Sequence, residues 1–135
     1  MKAIGAILGL VIISSTAFAD SNCNKFGDAR DAMVLQFVEG SAYIGYPYDI
    51  RRDLAEPLTD ELNACGLSSS VTTYDNDENK SPKVRILFTS GKKDLAALIS
   101  QEIVRKSIGK IQIELRGPVN LRRGDIQVIY EGLHQ

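Results

Sequence analysis

The sequence predicts an α+β fold of two layers, a sandwich in which the helices lie on one face of a single sheet. Residues 83–89 place apolar side chains at every second position, as a strand does, and residues 92–106 repeat them at helical spacing. The helical pattern D-L-A-x-x-[LI]-[TS]-x-E-[LI] occurs twice, at residues 53–62 and 94–103, and each copy stands between two apolar strands. We therefore expect a ferredoxin-like βαβ-βαβ plan with an added C-terminal strand.

The first 19 residues are expected to be a secretory signal peptide that is removed from the mature chain. Lys2 supplies the positive charge, residues 4–13 form the apolar region, and residues 17–19 give an A-x-A cleavage site. This apolar run is shorter than the about 20 residues that a membrane span needs, so no membrane span is predicted. We expect one domain over residues 20–135, in the periplasm or secreted from the cell.

Cys23 and Cys65 are the two cysteines of the sequence, and they are predicted to form one disulfide bond. An even pair of cysteines in an oxidising compartment is typical of a disulfide. The bond would tether the mature N-terminus to the end of the first helix. A metal-binding or redox pair is the alternative, but the C-x-x-C spacing and supporting histidines are missing. No metal ion and no other cofactor is therefore expected.

The charge of the mature chain is close to balanced. The 16 Lys and Arg residues fall to 15 without Lys2, against 17 Asp and Glu, which gives a net charge of −2 with the histidine neutral. A domain that binds duplex nucleic acid is normally basic. The composition therefore predicts no nucleic-acid partner.

Apolar patterns and turn residues place the other elements along the chain. The first helix is expected to begin between Asp49 and Asp53 and to end before Gly66. Pro57 favours the later start, because a proline inside a helix removes a backbone hydrogen bond. Residues 75–82 partly match a calcium-binding loop, but the required glycine is missing, so a solvated loop is expected. The remaining strands are predicted at residues 32–38, 70–74, 111–115 and 125–130.

The loop over residues 39–49 is the candidate functional segment. It contains Tyr43, Tyr46 and Tyr48 among glycines and a proline, and is more aromatic than a solvated loop needs to be. The tyrosines could cap the hydrophobic core and form hydrogen bonds through their hydroxyl groups. They could also form a contact surface, because tyrosine is enriched where proteins meet partners. Both interpretations stay open at the level of the sequence.

Five short stretches make the chain similar to a known family. They are V-E-G-S (38–41), D-L-A (53–55), A-C-G-L (64–67), V-R-I-L-F (84–88) and D-L-A (94–96). With the strands and helices around them, over residues 32–106, they resemble the LytR C-terminal-like domain and related SPOR-like modules. Residues 123–130 look like the closing strand of such modules. The resemblance implies a non-catalytic accessory module of the cell envelope. SPOR-like relatives bind peptidoglycan glycan strands through an exposed sheet face.

No catalytic residue is predicted, so the chain is not expected to be an enzyme. The sequence shows no nucleophile, base and orienting acid at a recognisable spacing, and its single histidine, His134, is the penultimate residue. We expect an exported envelope module that binds a cell-wall glycan or another envelope component, such as an envelope protein, through Tyr43, Tyr46 and Tyr48. The alternative is a periplasmic inhibitor or immunity protein that binds a toxin or hydrolase with the same loop.

Overall fold

A computed structural model describes residues 23–40, 46, 48–74 and 82–131 of the chain. The predicted signal peptide, Tyr43, His134 and most of the polar loop at residues 75–82 lie outside these described residues. Within the described ranges, no helix is long and apolar enough to cross a membrane.

The described residues form two βαβ units followed by a fifth strand. The first unit consists of strand β1 (Met33–Glu39), a π-helical turn (Arg51–Ala55) that leads into helix α1 (Glu56–Ala64), and strand β2 (Ser68–Tyr74). The second unit consists of strand β3 (Lys83–Phe88), helix α2 (Lys93–Lys106) and strand β4 (Ile113–Arg116). Strand β5 (Ile126–Glu131) follows, and a 3-10 segment (Asn24–Asp31) precedes β1. The predicted strands and helices are therefore all present, close to their expected bounds.

The five strands form one mixed sheet in the order β2-β1-β5-β3-β4. Strand β1 pairs in parallel with both β2 and β5. Strand β3 pairs in parallel with β4 and antiparallel with β5. The last strand along the chain therefore lies in the centre of the sheet and joins the two units.

The predicted two-layer α+β architecture is confirmed, but the ferredoxin-like plan is not. A ferredoxin-like sheet is built from split βαβ units, in which another strand separates the two strands of each unit. Here both strands of each unit are direct neighbours, since β1 pairs with β2 along its whole length and β3 pairs with β4. Strand β5 separates the two units from each other, and it does not enter either of them.

The hydrophobic core lies between the sheet and the two helices. On β1, β3 and β5 every second side chain is buried, which is the pattern of a sheet with one covered face. The helices cover that face with apolar side chains spaced three or four residues apart, which include Leu54, Leu58, Leu62, Leu95, Ile99 and Ile103. Arg105 of α2 forms an ion pair with Glu61 of α1 at 3.1 Å, so the two helices lie side by side.

A disulfide bond between Cys23 and Cys65 fixes the N-terminal segment to the end of α1, as predicted. The 3-10 segment that follows Cys23 buries the ring of Phe26 in the core. Lys25 of the same segment forms an ion pair with the buried carboxylate of Glu102 on α2. The segment is therefore held to both helices, by a covalent bond to the first and an ion pair to the second.

The helix of the first unit begins earlier than Pro57 suggested. The backbone N–H of Glu56 donates to the carbonyl of Arg51, five residues back, which makes the turn before Pro57 wider than an α-turn. The wider turn carries the backbone past Pro57, whose ring would clash with a regular preceding turn. Asp49 caps the start, because its carboxylate accepts a hydrogen bond from the N–H of Arg52 at 3.1 Å. The helix therefore does not begin at the later of the two expected starts, near Asp53.

Candidate binding face of the sheet

The face of the sheet opposite the helices is the candidate functional site. Gln36 of β1 lies under α1, because its amide donates to the carbonyl of Ala55 at 3.2 Å. Successive side chains of a strand point to opposite faces, so Leu35 and Phe37 point away from the helices. No helix among the described residues lies on that side. We call it the helix-free face.

The strand register arranges the side chains of the helix-free face in two rows across the sheet. In the order β2-β1-β5-β3-β4, the first row is Ser70, Leu35, Gln127, Leu87 and Arg116. The second row, one step along the strands, is Thr72, Phe37, Ile129, Arg85 and Glu114. Both rows begin with a hydroxyl group and end with charge, and the side chains between are apolar except for Gln127, which lies between Leu35 and Leu87. The face is therefore amphipathic from one edge of the sheet to the other.

The centre of this face is an apolar strip that is only half covered. Leu35 and Phe37 of β1, Ile129 of β5 and Leu87 of β3 are all half-buried, whereas their neighbours along each strand are fully buried under the helices. Burial of apolar surface stabilises a contact by about 25 cal/mol per Å². The strip therefore offers a partner apolar surface on the three central strands.

Hydroxyl groups lie along one side of the apolar strip, on β2. Ser68, Ser70 and Thr72 are exposed on this face, and Tyr74 at the end of the strand is 54% exposed. A hydroxyl group can both donate and accept a hydrogen bond. This side can therefore contact a ligand rich in hydroxyl or amide groups.

Ion pairs lie along the other side of the strip, on β3 and β4. Lys83 forms an ion pair with Glu114 at 3.2 Å, and Arg116 forms one with Glu114 at 2.7 Å. The hydrogen bond from Lys83, assisted by Arg116, holds the pKa of Glu114 below its usual value, so Glu114 is charged at neutral pH. Arg85, in the same row as Glu114, pairs with the buried carboxylate of Glu131. This side is therefore ordered by paired charges.

Tyr46 and Tyr48 contact the core and stack on each other, with ring centroids 6.1 Å apart. Tyr48 is 8% exposed, and burial raises the pKa of its hydroxyl group. This hydroxyl lies near the backbone of Ile108, which follows α2, and near Asp53 of the π-helical turn, so Tyr48 is on the helix side of the sheet. The core-capping interpretation therefore describes the placement of Tyr48. A binding role for Tyr43, Tyr46 and Tyr48 stays a prediction.

A second cluster of polar side chains is buried between the sheet and α1. The hydroxyl of Tyr130 donates to the amide oxygen of Gln36 at 2.6 Å, and the amide nitrogen of Gln36 donates to Thr59. Burial strongly raises the pKa of Tyr130, so its hydroxyl stays protonated. All three side chains are buried. The cluster therefore contributes to packing and offers no accessible reactive group.

The described part of the chain contains no group of three or more His, Cys, Asp or Glu side chains that could hold a metal ion. Comparison with models of known protein families gives no match for this chain. Comparisons with curated proteins and with solved structures give no match either.

The sequence predicted helices on one face of the sheet, which is confirmed, but it did not indicate which side chains meet on the other face. The alternation of residues 32–38 indicated a strand that is covered on most of both faces, and this strand does carry the half-buried Leu35 and Phe37. The sequence has no signal for which strands are neighbours, so it could not bring Phe37 and Ile129 together. The alternation of apolar side chains with polar or charged ones in residues 83–89 and 126–131 was the local sign of a second, partly exposed face.

Proposed function

We propose that the chain is a non-catalytic, exported module of the cell envelope that binds an envelope component through the helix-free face. The first ligand class is a cell-wall glycan. The observation that supports this proposal is the pair of aligned rows, in which half-buried apolar side chains stand between hydroxyl groups and paired charges. The predicted signal peptide and the disulfide bond between Cys23 and Cys65 both fit a protein that works outside the cytoplasm.

The chemistry of a glycan strand matches the arrangement of this face. A sugar ring has apolar C–H surfaces that pack on side chains such as Phe37 and Ile129, and a rim of hydroxyl groups. In β2, Ser70 and Thr72 stand where they can exchange hydrogen bonds with that rim. An open, shallow face suits a polymer, which can extend beyond it at both ends.

The test is retention of the mature chain, residues 20–135, on purified peptidoglycan. We expect Phe37→Ala and, separately, Ile129→Thr to lower retention about tenfold, which corresponds to about 1.4 kcal/mol. Val104→Ala is the matched control, because Val104 is an apolar residue, 57% exposed, on α2 and away from the face. Thermal unfolding of each variant shows whether it is folded. Full retention by both folded face variants would contradict the proposal.

Tyr46→Ala separates the face from the tyrosine loop. Tyr46 packs against the core and stacks on Tyr48. We expect Tyr46→Ala to lower the thermal midpoint and to leave retention by the folded fraction unchanged. Loss of retention at an unchanged midpoint would instead place the binding site in the loop that contains Tyr43, Tyr46 and Tyr48.

A second candidate function is that of an inhibitor or immunity protein, which binds a toxin or hydrolase. The same observation supports it, since an apolar centre such as Phe37 and Ile129 inside a polar rim is also the anatomy of a protein interface. A pull-down from a periplasmic or culture extract tests it. One stoichiometric protein partner that is lost with Phe37→Ala, together with no retention on peptidoglycan, would favour this candidate.

A further inference from the structure

The two edge strands of the sheet differ in how well they are protected against pairing with another strand. Strand β4 has four residues, carries Glu114 and Arg116, and is followed by Gly117-Pro118. Short length, charge and proline all discourage edge-to-edge pairing. Strand β2 has seven residues, Ser68–Tyr74, with no charge, proline or glycine among them. The β2 edge therefore lacks the usual protection.

The register shows which backbone groups of β2 point outward. Ser68 donates its N–H to the carbonyl of Ala32 at 3.0 Å, and the carbonyl of Tyr74 accepts from the N–H of Gly40 at 3.1 Å. The residues with even numbers from 68 to 74 thus direct their N–H and C=O groups toward β1. Ser69, Val71 and Thr73 direct theirs toward the outside.

One of these three outward positions is already occupied by a side chain of α1. Asn63 accepts a hydrogen bond from the N–H of Ser69 at 2.7 Å and donates to its carbonyl at 3.2 Å, as a neighbouring strand would. Within the described residues, no such partner faces the outward backbone groups of Val71 and Thr73. The open part of the edge is therefore the stretch from Val71 to Thr73.

We propose that this open stretch pairs with the same stretch of a second copy of the chain, antiparallel and about a two-fold axis at Thr72. Val71 and Thr73 of one copy would then exchange backbone hydrogen bonds with Thr73 and Val71 of the other. This register needs no hydrogen bond from Ser69, whose outward groups Asn63 already occupies. A two-fold axis at Val71 would instead place Thr73 opposite Ser69, whose groups are occupied.

Side chains and charges beside the edge are compatible with a second copy. Thr72 would face Thr72 of the second copy on the helix-free face, and pairs of threonines across strands are favourable. Arg51 donates a hydrogen bond to the hydroxyl of Thr73 and forms an ion pair with Glu56 at 3.0 Å, so the cation beside this edge is paired within its own copy.

Sedimentation equilibrium of the mature chain, from about 1 µM to about 1 mM, tests the proposal. We expect the mass of a dimer in the upper part of this range. Thr73→Pro removes an outward N–H and no bond to β1, so it should reduce the mass to that of the monomer. Thr73→Val keeps the N–H and is the matched control, which should remain a dimer. A monomer at every concentration of the unaltered chain would overturn the proposal.

A charge-pairing experiment tests the register and does not depend on a proline. Thr72→Lys and Thr72→Glu each place like charges opposite each other at the two-fold axis, so each variant alone should be monomeric. An equimolar mixture of the two should restore the dimer mass. Arg116→Glu on the opposite edge is the control and should leave dimerisation unchanged. A dimer of Thr72→Lys alone, or a mixture that stays monomeric, would overturn the proposed register.

Discussion

Helix α1 of the first βαβ unit and helix α2 of the second pack on the same face of the sheet and share one sequence pattern, yet they are held in different ways. Helix α1 is entered through a π-helical turn and is joined at its end to the N-terminal segment by the Cys23–Cys65 disulfide bond. Helix α2 has fourteen residues in a regular helix and no covalent link to another element. A sequence repeat can therefore give the same topology twice while the stabilising interactions of the two copies differ.

The difference has its origin in the segments that precede each helix. In the first unit, Pro57 forces a widened turn and the segment before it contains Tyr46 and Tyr48, which pack against the core. In the second unit, Ser90 and Gly91 make a tight turn from β3 into α2. In the first unit, the segment between β1 and α1 thus covers part of the core. The second unit has only a tight turn at this point, and its longer helix α2 covers the core instead.

Of the changes to the two units, reduction of the Cys23–Cys65 bond is expected to lower the free energy of unfolding the most. The bond closes a loop between residues 42 positions apart, and its loss should lower the free energy of unfolding by about 4 kcal/mol. Urea unfolding with and without reductant measures the change. The double variant Cys23→Ser with Cys65→Ser is the control, because reductant should no longer affect it. An unchanged urea midpoint in the fully reduced protein would contradict the prediction.

Gly117→Ala tests how tightly the second unit is packed without a disulfide. A Cβ atom at Gly117 would lie 2.6 Å from the carbonyl oxygen and from a ring carbon of Phe88, so the two strand ends must move apart. We expect a loss of about 2 kcal/mol in the free energy of unfolding, measured by urea unfolding.

Gly91→Ala is the matched control for that variant. Gly91 has a φ of +82° but open space around it, so its cost of about 1 kcal/mol should come from the backbone alone. If Gly117→Ala lowers the free energy of unfolding no more than Gly91→Ala does, the close approach of Gly117 to Phe88 does not constrain the second unit.

Glu102→Gln removes a charge that joins α2 to the N-terminal segment, and its expected effect is smaller than that of Gly117→Ala. Burial alone would raise the pKa of Glu102, but hydrogen bonds from Lys25 and Arg105 outweigh it and hold this pKa below its usual value. The folded-state pKa is the lower one, so Glu102 contributes stability at neutral pH. That contribution is lost as the pH falls from the unfolded-state pKa of a glutamate, about 4.3, through the lower pKa that Glu102 has in the folded protein.

We expect Glu102→Gln to cost about 1.5 kcal/mol at pH 7 and less as the pH falls below about 4. Thermal unfolding from pH 3 to pH 7 measures the difference. Glu61→Gln is the control, since Glu61 also pairs with Arg105 but is more exposed, and its effect should be smaller. A difference between Glu102→Gln and the unaltered protein that grows on acidification would contradict the assignment.

The helices and strands could be predicted from the sequence because each is encoded locally. Apolar side chains at every second or every third to fourth position mark them, and Gly66, with a φ of +89°, ends α1 where the sequence indicated. The exception is the start of α1. Pro57 was expected to favour the later start, near Asp53, but a wider turn accommodates this proline further inside the helix.

Strand order and the set of side chains that meet on the helix-free face could not be predicted, because both depend on residues far apart in the chain. Asp125 donates its N–H to the carbonyl of Met33 at 2.8 Å, and no local pattern encodes that contact. The composition of the tyrosine loop was recognised, yet the same aromatic residues suit a core cap and a contact surface equally well. The two cysteines were informative because few chemical roles fit an isolated pair in a chain that is predicted to be exported.

The central position of β5 has a consequence for how the chain acquires its structure. Residues 126–131 are the last strand to be synthesised among the described ones, yet they separate and connect the two βαβ units. Pairing of β5 with β1 spans about ninety residues, and contacts of such high sequence separation slow folding. Until residue 126 has emerged, the two units lack the strand that joins them. The first four strands therefore cannot form one sheet before the last described strand has been made.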